Sequence, residues 1–246
     1  MIIHTTEELK EEMQPLAEHL KGNIATKAED FDPSILHLAY DEDGLALVQG
    51  DLKMRGDFTD MVSRVRPTAL SKELIVRAAH IKDMSGFPLA VDATAGMGED
   101  ALLLALAGFR VILYEQDPVI AALLRDALRR GEDCPPIAAA IGRMQLREED
   151  SIKALPELEE RPALVYLDPM FPKRSKSGLI KKKFQLLQQL ESPCASEDEL
   201  LDAATASGAG RILIKRPAKG PYLAGRKPNL SFEGSVVRYD CILPQG

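Results

Sequence analysis

From residue 89 onward the chain alternates between short aliphatic or β-branched runs and longer stretches with apolar residues at helical spacing. Segments 89–92, 110–115, 144–147, 163–167, 211–215 and a last one near 235–243 predict strands. Segments 99–107, 118–130, 151–155, 178–190 and 196–206 predict helices. This regular alternation predicts a mostly parallel sheet with helices on both faces. The first part of the chain reads differently. Residues 6–21 predict an amphipathic helix rich in Glu and Lys. Two apolar runs at 35–40 and 45–48 flank Asp41-Glu42-Asp43-Gly44, a hairpin signal. A helix over 71–85 is predicted to start at Ser71, with Leu74, Ile75, Ala78 and Ile81 on one face. The expected organisation is a small α/β extension over 1–66 followed by an α/β domain over 67–246.

The predicted strand ends carry the chemistry. The run 163–167 stops at Asp168-Pro169-Met170-Phe171-Pro172, where Pro closes a buried strand with a rigid turn. Open α/β sheets bind ligands at this edge, and a carboxylate beside an aromatic ring suits a planar molecule bearing an amino group. A plain strand-terminating turn with a buried Phe fits the same residues. Upstream, strand 89–92 ends at Asp92 and leads through Gly96-Met97-Gly98-Glu99-Asp100 into a helix. Glycines there let the backbone approach a ligand closely. The next strand ends at Glu115-Gln116, an acid placed to accept from ribose hydroxyls. Together these residues predict an adenosine-type cofactor, with NAD and S-adenosylmethionine both compatible with the glycine spacing. Asp92, four residues before Gly96, favours the cationic methyl donor. The four histidines all lie at or before residue 80, so no His is available to a hydride-transfer site beyond it. Asp150-Ser151 begins the short helix after 144–147. Asp150 fits either an adenine amino contact or a helix cap.

Charge changes the picture of the partner. The net charge of −7 argues against nucleic acid, yet windows 169–190 and 211–227 hold twelve of the 31 Lys and Arg and none of the 38 Asp and Glu. Lys173, Arg174, Lys181, Lys182 and Lys183 lie in the first window; Lys215 and Arg216 end a predicted strand in the second. A local basic surface for a phosphate backbone is expected there; surface cations on a solvated face are the competing reading. The three cysteines are widely spaced without a Cys-x-x-Cys pair, and no metal site is expected. No apolar stretch approaches the roughly 18 residues needed to span a bilayer, and 1–8 lacks signal-peptide character. A cytoplasmic protein is expected.

The motifs at 92–98, 115–124 and 166–172, with Ser177-Gly-Leu-Ile-Lys-Lys-Lys and Ile214-Lys-Arg-Pro, together resemble the RsmJ family. These are bacterial small-subunit ribosomal RNA guanine-N2 methyltransferases that use S-adenosylmethionine. The resemblance covers about residues 85–243. It implies a Rossmann-like class I methyltransferase fold and cofactor contacts at Glu99, Asp100, Glu115, Gln116, Asp150, Ser151 and Asp168, beside those read at Asp92, Gly96 and Gly98. The chain differs from the family pattern at Glu99 and Gln116, where Arg is usual, and over 56–67, where a basic glycine-rich segment is usual. The expected mechanism has Asp168 and the Pro169 carbonyl accepting the two hydrogens of a guanine amino group while Phe171 stacks on the base. The rival readings are a methyltransferase for adenine in DNA or for a protein amide, a silent RNA- or S-adenosylmethionine-binding protein, and an NAD(P) oxidoreductase.

Overall fold

A computed structural model describes residues 1–82, 86–169, 185–187, 189–190 and 196–244. Two sheets organise them. The first holds β1 (Ile2–His4), β2 (Asn23–Ala25), β3 (His37–Asp41), β4 (Gly44–Gln49) and β5 (Leu52–Met54) in the order β2-β1-β3-β4-β5. Helix α1 (Lys10–His19) packs against it through Met13 and Ala17. The predicted hairpin is β3–β4, closed at Asp41↔Gly44. Strands β1, β2 and β5 are only three residues each, too short for an alternation signal to stand out.

Of the helix expected over 71–85, the structure has α3 (Leu74–Ala79), which starts three residues later than Ser71, and a separate short helix, α2 (Pro67–Leu70), precedes it; residues 83–85 lie outside the described residues. Pro67 starts α2, as its fixed φ and missing N–H allow at a first helical turn. Glu73 breaks the run with extended backbone (ψ 127) while its carboxylate receives Arg64 at 2.9 and 3.0 Å.

The second sheet contains β6 (Leu89–Asp92), β7 (Arg110–Tyr114), β8 (Met144–Arg147), β9 (Leu164–Leu167), β10 (Ile212–Pro217), β11 (Leu230–Glu233) and β12 (Val237–Ile242). Their order is β11-β12-β10-β9-β6-β7-β8, with β12 antiparallel to both of its neighbours and the β10-β9-β6-β7-β8 pairings all parallel. Helices α4 (Glu99–Leu106), α5 (Pro118–Gly131), α6 (Pro135–Ile141), α7 (Ser151–Ala154) and α8 (Glu197–Ala206) connect them. Sequence reading missed α6 and β11, although Pro135 stands at a first helical turn. Of the helix expected over 178–190, residues 185–187 are helical and most others lie outside the described residues.

Strand alternation sorts the core into two layers, as the pleat requires. Ala90, Val111, Leu113, Leu164, Tyr166 and Leu213 meet α3, α4 and α6. Leu89, Val91, Ile112, Tyr114, Val165, Leu167, Ile212 and Ile214 meet α8 and Leu155. Helix α5 serves both sheets: Leu124 and Ala127 join the first layer, while Val119, Ile120 and Leu123 pack with Leu45 and Leu47 of β4. Asp117 caps this helix, accepting from Val119 N (2.9 Å) and Ile120 N (3.0 Å).

One carboxylate locks the two sheets together. Asp126 on α5 accepts from the backbone N–H of Leu45 (3.0 Å), from Arg130 Nε (2.8 Å) and from Arg129 Nη2 (3.1 Å). Arg130 then reaches the carbonyl of Gly56. Removing the carboxylate strands a buried N–H and a half-buried guanidinium. Asp126→Ala is expected to lower unfolding free energy by about 2–4 kcal/mol. Urea unfolding of the variant checks this, and unchanged stability would show that the clamp is not holding the sheets.

Candidate functional site

The carboxyl ends of β6, β7, β9 and β10 meet at one edge of the larger sheet. At β6 the chain leaves Asp92 through Thr94, and Gly96 and Gly98 turn it into α4. Both glycines have positive φ, +52 and +75, which L side chains rarely adopt. At Gly98 a Cβ would also stand 2.8 Å from Leu124 Cδ1, so the turn fits closely onto α5. At Gly96 a Cβ would meet nothing within 4 Å, leaving open space on that side of the turn.

Glu115, at the tip of β7, is bound by the turn itself. Its Oε2 accepts from Gly96 N (3.1 Å) and its Oε1 from Asp117 N (2.8 Å). Burial raises its pKa, and these backbone N–H groups work the other way. Gln116 beside it is exposed. On α4, Glu99 is exposed and lies 4.0 Å from Arg64 Nη1, whereas Asp100 turns inward. Asp150 caps α7 by accepting from Ile152 N at 3.0 Å and also pairs with Lys153 at 3.0 Å; Ser151 is buried behind it.

The densest cluster lies between α4, β9 and β10. Lys215 Nζ sits 2.6 Å from Asp100 Oδ2 and 2.9 Å from Asp168 Oδ2. Tyr166 donates its hydroxyl to the same Asp100 oxygen at 2.5 Å. The backbone N–H of Asp168 donates to Thr94 Oγ1 at 2.7 Å, which joins the tip of β9 to the turn after β6. Pro169 is buried next to it. Burial works against the charge on Lys215, yet Asp100 and Asp168 outweigh it and hold the ammonium's pKa above its ordinary value.

Asp92 lies beneath this cluster, 1% exposed, accepting from Thr94 N at 3.1 Å. Burial is the main cause that pushes its carboxyl up to about 8, with Asp100 and Asp168 adding to the rise and the Thr94 N–H and Lys215 opposing it. At neutral pH this carboxyl is mostly protonated.

The expected basic surface is corrected at two positions. Lys215 was expected to track phosphate but is occupied by two carboxylates inside the site. Arg216 points to the opposite side of the sheet, where its side chain is fully buried. It donates to the Pro221 carbonyl at 2.8 Å and pairs with Glu197 at 3.3 Å. Strand alternation explains the split, because neighbouring residues of β10 face opposite layers. Phe171, Lys173, Arg174, Lys181, Lys182 and Lys183 lie outside the described residues. Sequence reading missed Thr94 and Tyr166. It also missed the inward role of Lys215, which is two residues beyond core-facing Leu213, just as Asp168 is two beyond core-facing Tyr166. Among the described residues no group of His, Cys, Asp and Glu could hold a metal ion, and no helix is long and apolar enough to cross a membrane.

A family model described as a putative SAM-dependent methyltransferase matches residues 24–244. The chain is 38% identical over 245 residues to the ribosomal RNA small subunit methyltransferase J of Thioalkalivibrio sulfidiphilus, covering 97% of this chain and 95% of the relative. It is 38% identical over 237 residues to the protein of that name in Alkalilimnicola ehrlichii, covering 92% of this chain and 88% of the relative. The crystal structure of a SAM-dependent methyltransferase from Neisseria gonorrhoeae superposes with a TM-score of 0.76 at 26% identity, covering 100% of this chain and 97% of that one. The β6–α4 glycine turn and the Asp168 strand tip therefore belong to a member of the ribosomal RNA small subunit methyltransferase J family, within the SAM-dependent methyltransferases.

Proposed function

We propose that this protein methylates the exocyclic N2 amino group of a guanine in small-subunit ribosomal RNA. The observation that carries the reading is the placement of Asp168-Pro169 at the end of β9, bonded through Thr94 to the glycine turn after β6. Substrate carboxylate and cofactor turn are thereby held as neighbours. S-adenosylmethionine, when bound, supplies a methyl group on a positively charged sulfur.

The residues present suit that cofactor. Open space beside Gly96 leaves room for a ligand against the turn. Glu115 stands at the second strand tip, where ribose hydroxyls are accepted, and Asp150 stands at the third. Asp92, its carboxyl pushed up to about 8 by burial, ionises from beneath the turn when the cationic end of the ligand stands over it.

For the transfer itself the protein acts by positioning and electrostatics. A guanine amino nitrogen is a poor nucleophile because its lone pair is delocalised into the ring. Asp168 and the Pro169 carbonyl accept its two hydrogens and fix the direction of that lone pair. Phe171, three positions further on, stacks on a base drawn out of its helix. Negative charge around Asp168 favours the cationic character that the nitrogen gains as the bond forms. The basic residues from Lys173 to Lys183 hold the phosphate backbone.

Transfer of labelled methyl groups to purified small-subunit RNA, free or assembled, tests the reading. The expected product is N2-methylguanine, and RNA from cells lacking the protein should lack that mark at one position. Asp168→Ala is expected to reduce the single-turnover rate about a hundredfold or more. Wild-type rates in this variant, or methylation of a different atom, would remove the amino-group mechanism.

Asp92 generates a separate pH-dependent prediction. The native state keeps a proton that an ordinary unfolded carboxylate has lost, so between about pH 4 and 8 this group makes stability fall as pH rises. Asp92→Asn removes that dependence. The variant is expected to gain stability relative to wild type progressively across this window, measured by urea unfolding at several pH values. It should nonetheless bind S-adenosylmethionine more weakly, because wild-type Asp92 ionises against the ligand's cation. Calorimetry near pH 7 in buffers of differing ionisation enthalpy should detect that proton's release in wild type alone. A pH-independent stability difference together with unchanged affinity would assign Asp92 to the core only.

A further inference from the structure

The second acid-free window of the sequence was expected to face RNA, yet its first lysine on β10 is drawn into the site. We propose that Lys215 is a positioning residue for methyl transfer: its ammonium, shared by Asp100 and Asp168, fixes the substrate carboxylate and ties it to the cofactor helix. The proposal rests on the reading that Asp168 receives the target amino group.

Three observations support it. First, the two contacts of 2.6 and 2.9 Å come from different elements, α4 and the end of β9, so one ammonium joins parts of the site that are 68 residues apart in sequence. Second, the tether is itself held. Asp100 takes the Tyr166 hydroxyl at 2.5 Å on the same oxygen that Lys215 contacts, and Tyr166 is part of the β9 core. The Asp100 carboxylate therefore has one preferred rotamer, and Lys215 transmits it to Asp168. Third, the side chain of Lys215 is only 27% exposed, so much of its length is out of water and an aqueous partner would have to displace two carboxylates.

The arrangement also settles a charge problem. Asp100 and Asp168 converge on one oxygen-lined edge, and without a cation each would repel the other out of position. Lys215 offsets that repulsion while leaving the pair with one net negative charge, which suits an amine becoming cationic. Its own role ends at orientation, since an ammonium held by two carboxylates keeps its protons and neither gives nor takes one during transfer.

The test compares Lys215→Met, Lys215→Arg and Asp168→Ala in single-turnover transfer with saturating small-subunit RNA, alongside RNA binding across a salt series and calorimetry with S-adenosylhomocysteine. Lys215→Met is expected to lower the rate constant about a hundredfold, the cost of a misplaced reacting group. The reaction amplitude, the salt dependence of RNA binding and the affinity for S-adenosylhomocysteine should stay near wild type. Lys215→Arg should recover much of the rate because it restores a cation between the two acids. A loss of amplitude at an unchanged rate constant would overturn the proposal in favour of a folding role. So would a salt slope reduced by about 0.7, the signature of one lost phosphate contact, with the rate intact. If Lys215→Met does not fold, Asp100→Asn carries the test: it removes the tether and leaves Lys215 on Asp168, and an unchanged rate constant overturns the proposal. Asp168→Ala stands apart from these outcomes. Full activity in that variant would sink the amino-group reading itself, whatever Lys215 does.

Discussion

Carboxylates crowd one edge of the larger sheet, and the chain has to keep them there against their mutual repulsion. It uses a different device for each. Asp92, deepest of them, has its carboxyl pKa raised because burial makes ionisation costly. Asp100 and Asp168 share the Lys215 ammonium. Glu115, on the neighbouring strand, is satisfied by two backbone N–H groups from the turns on either side of it. The result is a strip of negative potential that is held rigidly and suits a cationic methyl donor and an amine gaining positive charge. The Lys215 pair and the Gly96–Glu115 bond also fix geometry, since they join α4, β9 and β10, and the turn after β6 to the tip of β7.

That rigidity depends on packing well away from the site. Glu115 leads directly through Asp117 into α5, and Gly98 sits against Leu124 of the same helix. The other side of α5 carries Ile120 and Leu123 into the smaller sheet, and Asp126 fastens the contact to β4. Disturbing the first fifty residues therefore disturbs the helix on which the glycine turn and the second strand tip rest. The smaller sheet contributes to the site through α5.

Much of this was readable in the residues. The strands from Leu89 to Leu167 and the helices between them show clear alternation and clear caps, and their ends marked Asp92, Glu115 and Asp168 as neighbours. The β3–β4 hairpin was equally plain from its Asp-rich turn. What escaped had physical causes. Three-residue strands at Ile2, Asn23 and Leu52 carry no period and exist because of their sheet partners: β1 lies between β2 and β3, and β5 pairs with β4. The break at Glu73 follows from its bond to Arg64, a contact nine residues back that helical spacing does not encode. Lys215 and Arg216 look alike in a list of cations, and only the pleat sends one into the site and the other to Glu197. Counting inward from Leu213 would have separated them.

The smaller sheet's dependence on α5 also bears on how the chain acquires its shape during synthesis. The last strand of that sheet ends at Met54, but the helix that covers Leu45 and Leu47 is complete only at Gly131. At about 5–20 residues per second a ribosome needs roughly 4–15 s to make the intervening stretch. Throughout that interval the aliphatic face of the nascent sheet lacks the side chains that α5 packs on Leu45 and Leu47, and the Leu45 amide lacks its Asp126 acceptor. The strands up to Met54 thus leave the ribosome early yet are sealed late, and during this interval Leu45 and Leu47 are open to aggregation and to chaperones.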